Sequence, residues 1–245
     1  NLGLSTSTAF DDPSAIQDIV YEYGVEATYS SVVSSRTTDT GFATSWIVQT
    51  IDNSTNDVGK FTSMAYGGGD QFHISYYDDT DNDLLYRTYS TTGIGSVEQV
   101  AQANNVGQHT NIALDPSNQY KHIAYRIWTP GADLGHAWAG GSSGWTLSVP
   151  DGPDNVGQDA SIAISETGNT VHIAYYDLTN NVLKHSWTGS SWGGPPWNWS
   201  VEVIDSNGNT GQDTSIATAP DNSLHISYFT PSGGGIVRHA WGVWD

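Results

Sequence analysis

Cysteine is absent from this 245-residue sequence, and basic residues are scarce. Without cysteine, the chain can form no disulfide bond, zinc–thiolate site or thiol nucleophile. Seven Lys and Arg residues stand against 26 Asp and Glu residues, for a formal net charge of −19. Because nucleic acids and anionic membrane surfaces are bound through clustered Lys and Arg, neither is an expected partner. Membrane insertion is not expected either, because the sequence has no run of about 18 apolar residues.

Helical periodicity is also missing, and the sequence contains a repeat in its place. A segment that begins at Val58 returns at Val106, Val156 and Thr210, at intervals of about 50 residues. A typical copy reads GQDASIA, then HIAYYD, then LKHSW, and turn-forming Asp, Asn, Pro and Gly residues separate these short segments. Units of this length with four short strands are typical of β-propeller blades. The sequence therefore predicts an all-β propeller.

The number of blades depends on how the two ends of the repeat array are assigned. We expect one domain, 1–245, with five four-stranded blades, the last of which is completed by an N-terminal strand within Leu2 to Phe10. The units are 1–57, which is divergent, 58–105, 106–155, 156–209 and 210–245. In the alternative, the segment Trp46 to Asp52, which has the fourth-strand pattern, completes the final unit and leaves four blades with an N-terminal appendage. Closure within one chain would give a monomer, whereas donation of the N-terminal strand to a neighbour would give a filament.

The three motifs quoted above, which lie between Gly157 and Trp187, resemble a repeat of secreted bacterial and archaeal β-propellers that are described as sialidase-like or BNR-like. The resemblance covers residues 58–245 and implies a propeller fold and a secreted, extracellular location. It implies no particular activity, because the shared residues are mainly those that build a blade. The sialidase pattern S-x-D-x-G-x-T-W is absent and the chain has only four Arg residues, so a sialidase is not indicated.

Polar residues at the start of each repeat are the candidate ligand-binding residues. In a propeller, the loop leading into the innermost strand and the loop between the second and third strands lie on one face. Acceptor groups beside exposed aromatic rings suit a neutral glycan, although the Gly-Gln-Asp segments could also serve only as turns. The candidates are Gln108, His109, Gln158, Asp159, Gln212 and Asp213 from the first loop, Tyr176 and Asp177 from the second, and Trp192 and Trp197 from an insert rich in Gly and Pro.

The loop that contains Asp79, Asp81 and Asp83 is the candidate metal site. Its carboxylates alternate along the chain as the oxygen ligands of calcium do, although Leu84 and Ser90 depart from the EF-hand pattern. The alternative is a solvated acidic turn. Calcium is the only cofactor that the sequence suggests, and none is required. The histidines recur in two registers, and we expect them to form hydrogen bonds within the blades rather than to bind metal.

The function that fits these patterns is that of a non-enzymatic extracellular propeller, a binding or structural module at a cell or matrix surface. The most specific version of this hypothesis is a lectin-like protein. The expected partner is then a glycan or a surface polymer. One alternative is a self-assembling filament subunit that binds copies of itself through N-terminal strand donation. The other is a five-bladed glycoside hydrolase, which would need two carboxylates at catalytic separation.

Overall fold

The chain divides into two units, Asn1–Thr50 and Ile51–Asp245. This computed structural model describes residues 20–25, 28–29, 32–33, 37–42, 47–102, 105–117, 119–128, 131–140, 144–168, 170–188, 198–231 and 234–243. In the first unit, β1 (Val20–Val25) pairs antiparallel with β4 (Thr37–Phe42), and β2 (Thr28–Tyr29) pairs with β3 (Val32–Val33). The predicted closing strand, Leu2 to Phe10, lies outside the described residues.

The second unit contains four antiparallel sheets, and each sheet falls within one predicted repeat. The first sheet consists of β5 (Val58–Gly68), β6 (Gln71–Asp78), β7 (Asp83–Ser90), β8 (Gly93–Ile94) and β9 (Glu98–Ala101). The second consists of β10 (Val106–Leu114), β11 (Lys121–Ile127), β12 (Asp133–Ala139) and β13 (Thr146–Asp151). The third consists of β14 (Gln158–Ile164), β15 (Val171–Asp177), β16 (Val182–Thr188) and β17 (Trp199–Asp205). The fourth consists of β18 (Gln212–Thr218), β19 (Ser223–Thr230) and β20 (Ile236–Val243).

The all-β prediction is confirmed by these sheets. Strands follow one another around tight turns in which Asn82, Asn181 and Asn222 have positive φ angles, a conformation that Asn tolerates better than most residues. Among the described residues, no helix is long and apolar enough to span a membrane.

The core lies between consecutive sheets rather than at one centre. The inner strands β5, β10, β14 and β18 pack side by side in chain order, and apolar side chains fill the space between each pair of neighbouring sheets. Every residue of β15 is buried, because this strand has a packed sheet on each side. Within the described residues the sheets do not close into a ring, so the two end sheets each expose one face.

Glycines at the start of the inner strands allow neighbouring sheets to approach closely. Gly211 has a φ of +105°, and a Cβ atom there would lie 2.6 Å from the Cα of Leu183 in the preceding sheet. Gly107 meets Leu84 at 2.8 Å in the same way, and Gly157 meets Leu134 at 2.9 Å. We call each of these contacts between an inner-strand Gly and the Leu of the preceding sheet a junction contact.

Paired histidines connect the second and third strands inside the sheets. His122 lies 3.0 Å from His136, and His172 lies 3.1 Å from His185, in each case from Nδ1 to Nε2. These rings are stacked and almost fully buried. Burial lowers the pKa of His136, His172 and His185 to about 3. The prediction that the histidines form hydrogen bonds within the blades is confirmed.

Carboxylates at the ends of β13 and β17 tie the second sheet to the third and the third sheet to the fourth. Asp151 Oδ2 accepts hydrogen bonds from the Tyr175 hydroxyl at 2.7 Å and from the Lys184 ammonium at 2.7 Å. Asp205 accepts in the same way from Tyr228 and Arg238, both at 2.8 Å. These contacts join strands that are far apart in sequence, and they neutralise cations that are partly buried.

Replacing Asp151 with Ala is therefore expected to reduce the free energy of unfolding by about 1–3 kcal/mol, because the buried Tyr175 hydroxyl loses its acceptor. The measurement is urea denaturation followed by tryptophan fluorescence. Asp154→Ala, at an exposed position in the neighbouring loop, is the matched control and should be nearly neutral. Equal effects of the two substitutions would contradict this role of Asp151.

Candidate functional site

A left-handed residue stands near the start of each inner strand of the four sheets. Phe61, His109, Asp159 and Asp213 have φ angles of 54°, 51°, 53° and 49°. Each follows a Gly by two positions, and the pairing with the second strand shifts register there. Such bulges re-aim side chains, and non-glycine residues in this region of φ are often found at functional sites. We call these four residues the inner-strand row.

Neighbouring members of the inner-strand row contact one another across the sheets. The rings of Phe61 and His109 are 4.7 Å apart between centroids. His109 Nδ1 lies 3.0 Å from Asp159 Oδ1, and the Asp213 amide donates to Asp159 Oδ2 at 3.1 Å. Phe61 and Asp213 are exposed at the two ends, whereas His109 and Asp159 are half-buried between them. The row therefore combines an aromatic surface, an imidazole and two carboxylates.

Asp159 is held in its ionised form. Burial by itself would raise its pKa, but the hydrogen bonds from His109 and the Asp213 amide, together with the charge of Arg126, keep the pKa of Asp159 below its ordinary value. An ionised carboxylate accepts hydrogen bonds and donates none. Asp159 is thus suited to accept hydroxyl hydrogen bonds or to attract a cation, and unsuited to act as a general acid.

Arg126 and Trp128 form a second feature beside the row that the sequence analysis did not identify. In the first and third sheets, the hydroxyls of Tyr77 and Tyr176 each lie within hydrogen-bond distance of two Asn side-chain oxygens, one of them on the last residue of the same repeat. Arg126 occupies the same register in the second sheet and donates to Asn155. Its guanidinium carbon lies 4.1 Å from the centroid of the Trp128 ring, which is 45% exposed. The signal in the sequence was an Arg where the other repeats have Tyr or Phe.

The predicted glutamines stabilise the loops beside the inner-strand row. The side chains of Gln108 and Gln212 donate to Asn105 and Asn209, both at 3.3 Å, and Gln158 is half-buried at the corresponding place. Each of these Gln residues directly precedes a member of the inner-strand row. The side chains that the structure brings into contact are those of the following residues, with His109 and Asp159 at the centre.

Tyr176 and Asp177 require a correction. An exposed aromatic ring and an available carboxylate were expected here, but both side chains are fully buried. The Tyr176 hydroxyl is bonded to Asn side chains of its own repeat, and Asp177 accepts hydrogen bonds from the amide and side chain of Asn180. Neither side chain reaches the surface on which a sugar could stack. Trp192 and Trp197 lie outside the described residues.

The three predicted calcium ligands do not converge. Asp79 forms an ion pair with Lys60 at 2.6 Å, and Asp81 accepts from Asn56 at 2.7 Å. Asp83 is buried and accepts from Gln99. Across the part of the chain that the structure describes, no group of three or more His, Cys, Asp or Glu side chains is arranged to hold a metal ion. Alternation along a loop places carboxylates near one another in sequence, but each of these three has a different partner.

Comparison with known proteins gives matches only among solved structures. No protein-family model matches the chain, and no curated protein matches it in sequence. AofleA from Arthrobotrys oligospora is 14% identical, with a TM-score of 0.52, and the match covers 76% of this chain and 55% of that one. A variant of AofleA with three Arg residues replaced by Ala is 16% identical, with a TM-score of 0.53 and coverage of 75% and 54%. A Hadza microbial sialidase is 12% identical, with a TM-score of 0.55 and coverage of 76% and 46%.

The chain therefore spans about half the length of the structures that it matches. At these identities the similarity concerns the fold, and it supports the β-propeller architecture of the sheets.

Proposed function

We propose that this protein binds neutral carbohydrate through the inner-strand row and does not hydrolyse it. The observation that carries this proposal is the unbroken contact from Phe61 through His109 and Asp159 to the Asp213 backbone. Aromatic rings pack against the apolar face of a sugar, and carboxylates accept hydrogen bonds from its hydroxyl groups. The fold-level similarity to a sialidase supports carbohydrate chemistry as an analogy.

The charge of the protein favours a neutral glycan over an acidic one. The net charge of −19 opposes an anionic ligand, and the inner-strand row itself contains two carboxylates. Lys60, which directly precedes Phe61, is paired with Asp57 and Asp79. Arg126, whose charge acts on Asp159, is only 3% exposed and is bonded to Asn155. Arg126 therefore offsets the negative charge of Asp159 from a buried position, and its guanidinium is not available to a ligand carboxylate.

Binding without hydrolysis is favoured over a glycoside hydrolase by the state of Asp159. A glycosidase requires one carboxyl group with a raised pKa that can donate a proton, beside a second that stays ionised. The pKa of Asp159 is shifted in the opposite direction. Burial raises the pKa of Asp133 and of Glu202, but neither residue belongs to the inner-strand row.

Replacing Phe61 with Ala is expected to weaken glycan binding at least about tenfold, because the aromatic surface of the row is lost. Binding is first located on an array of neutral and sialylated glycans and then measured by calorimetry with the best neutral ligand. Asp213→Asn, which keeps the side-chain shape and tolerates a positive φ, should also weaken binding. Tyr66→Ala, at an exposed aromatic ring near the other end of β5, is the control and should bind normally.

Release of reducing sugar from the bound glycan would contradict the non-enzymatic part of the proposal. Normal binding by the Phe61→Ala variant would contradict the assignment of the site.

An extracellular location belongs to the same proposal, and the resemblance of the repeats to secreted propellers supports it. The sheets are blades of a propeller in this proposal. The Asp52 carboxylate accepts from the Tyr76 hydroxyl at 2.6 Å, as Asp151 and Asp205 do from their Tyr partners. This contact supports the first sheet as one against which another sheet packs.

A further inference from the structure

The first and fourth sheets expose two faces of different kinds. On the first sheet, Met64 and Tyr66 of β5 are 58% and 62% exposed, and we call this the head face. On the fourth sheet, Val237, Trp241 and Val243 of β20 are 81%, 68% and 63% exposed, and we call this the tail face. Exposed apolar surfaces on a sheet favour association with another surface.

Each face contains one of the two residues that would form a junction contact. Val237 of β20 pairs with Phe229 of β19. Three Leu residues, Leu84, Leu134 and Leu183, occupy the same position in the other sheets, and their side chains are fully buried. Gly59 holds the place of Gly107, Gly157 and Gly211, with a φ of +96°, yet no atom of the described residues lies within 4 Å of a Cβ built there. In the internal junctions the Gly of one sheet covers the Leu of the sheet before it. Among the residues that the structure describes, Val237 and Gly59 are the two members of this series without their counterpart.

A second set of contacts leads to the same pairing. Ser63 Oγ accepts from the amide of Ile112 at 3.1 Å, Asn111 Oδ1 accepts from the amide of Ile162 at 2.9 Å, and Ser161 Oγ accepts from the amide of Ile216 at 3.2 Å. The next acceptor in this series is Ser215, which is exposed. The amide that matches it is that of Met64, on the head face. Ile112, Ile162 and Ile216, which share the register of Met64, are all buried.

We propose that the tail face of one molecule binds the head face of a second copy of this chain. The contact repeats an internal junction: Gly59 of the second copy covers Val237, and the Met64 amide donates to Ser215. A second copy is the binding partner because its head face presents Gly59 and the Met64 amide at the positions that cover the Leu and donate to the acceptor in the internal junctions. This inference does not depend on the glycan proposal. The same contact would place Asp213 of one copy beside Phe61 of the next and so continue the inner-strand row across the interface.

The two faces differ, so the association is head-to-tail and is tested by mixing two variants. Sedimentation velocity from about 1 to 100 μM should show the mass of the wild-type protein rising with concentration, as a filament or a closed ring. Val237→Asp removes the tail face and Met64→Asp removes the head face, and both positions are exposed, so each monomer should fold. Each variant alone should remain a monomer. Their equimolar mixture should form a dimer, because each partner keeps one intact face.

Val203→Asp is the matched control, since Val203 is 52% exposed on β17 and belongs to neither face. It should assemble like the wild-type protein. A mixture of the two variants that stays monomeric would overturn the proposal. A wild-type protein that is monomeric at all concentrations, with a Val237→Asp variant that merely lowers the melting temperature, would also overturn it. That result would assign the tail face to another segment of the same chain.

Discussion

Lowering the pH from 7 to 5 is expected to reduce the free energy of unfolding of the second unit by about 6 kcal/mol. The pKa of His136, His172 and His185 is lowered to about 3 by burial, whereas an unfolded histidine has a pKa near 6.5. Above that value neither state binds the proton. As the pH falls below about 6.5, only the unfolded chain is protonated, so stability is lost until the pH approaches about 3. Each histidine contributes about 1.4 kcal/mol per pH unit, and three together about 4 kcal/mol per unit, against a typical total of about 5–15 kcal/mol.

Urea denaturation at pH 7, 6 and 5 measures this slope. Replacing both His172 and His185 with Gln keeps side chains that can form hydrogen bonds but cannot be protonated, and should reduce the slope by about 3 kcal/mol per pH unit. A denaturation midpoint that does not depend on pH between 7 and 5 would rule out buried neutral histidines.

The second large effect is expected from a methyl group at Gly211. A Cβ at this position would lie 2.6 Å from the Cα of Leu183, so the third and fourth sheets would have to move apart. The cost of the left-handed conformation for Ala, about 1–2 kcal/mol, adds to an overpacking cost of about 1–3 kcal/mol. We therefore expect Gly211→Ala to lower the free energy of unfolding by about 2–5 kcal/mol, as measured by urea denaturation.

Gly59→Ala separates these two contributions. Gly59 has a similar φ of +96° and the same place in the repeat, but no atom of the described residues lies within 4 Å of its Cβ position. At a protein concentration where the chain is monomeric, it should cost only the conformational part, about 1–2 kcal/mol. Equal losses for the two variants would show that conformation alone, and no close approach of the sheets, explains the glycine at the start of each repeat.

Much of the fold could be predicted from the sequence because the same pattern of strands and turns occurs in four copies. The motif HIAYYD predicted a short strand, and β15 forms there, although its burial at each position, Tyr176 and Asp177 included, was not predicted. The histidines were expected to bond within the blades, and the pair His172 and His185 does so. A single short apolar pattern does not distinguish a strand from a helix segment, but four copies with the same pattern and the same turns indicate strands.

The candidate site could be predicted only in part. The repeat drew attention to His109, Asp159 and Asp213, and the structure places them in one row. Phe61 stands at the same position of its repeat, but the first copy reads VGKF where the others read VGQH, VGQD and TGQD, so its membership was hidden by divergence. Tyr176 was expected on the surface because aromatic residues in loops often bind ligands, whereas its ring is buried and its hydroxyl bridges two Asn side chains.

The strand pattern, the turns and the places of the glycines were readable in the amino-acid sequence, because they depend on local propensities that each repeat states again. The partners of individual polar groups were not. Whether Asp83 faces a calcium ion or Gln99 depends on the pairing of β7 with β9, and whether Asp151 faces water or Tyr175 depends on which sheet packs beside it. That choice is made by contacts between residues tens of positions apart, as sheets pack face to face and each buried polar atom takes the nearest partner.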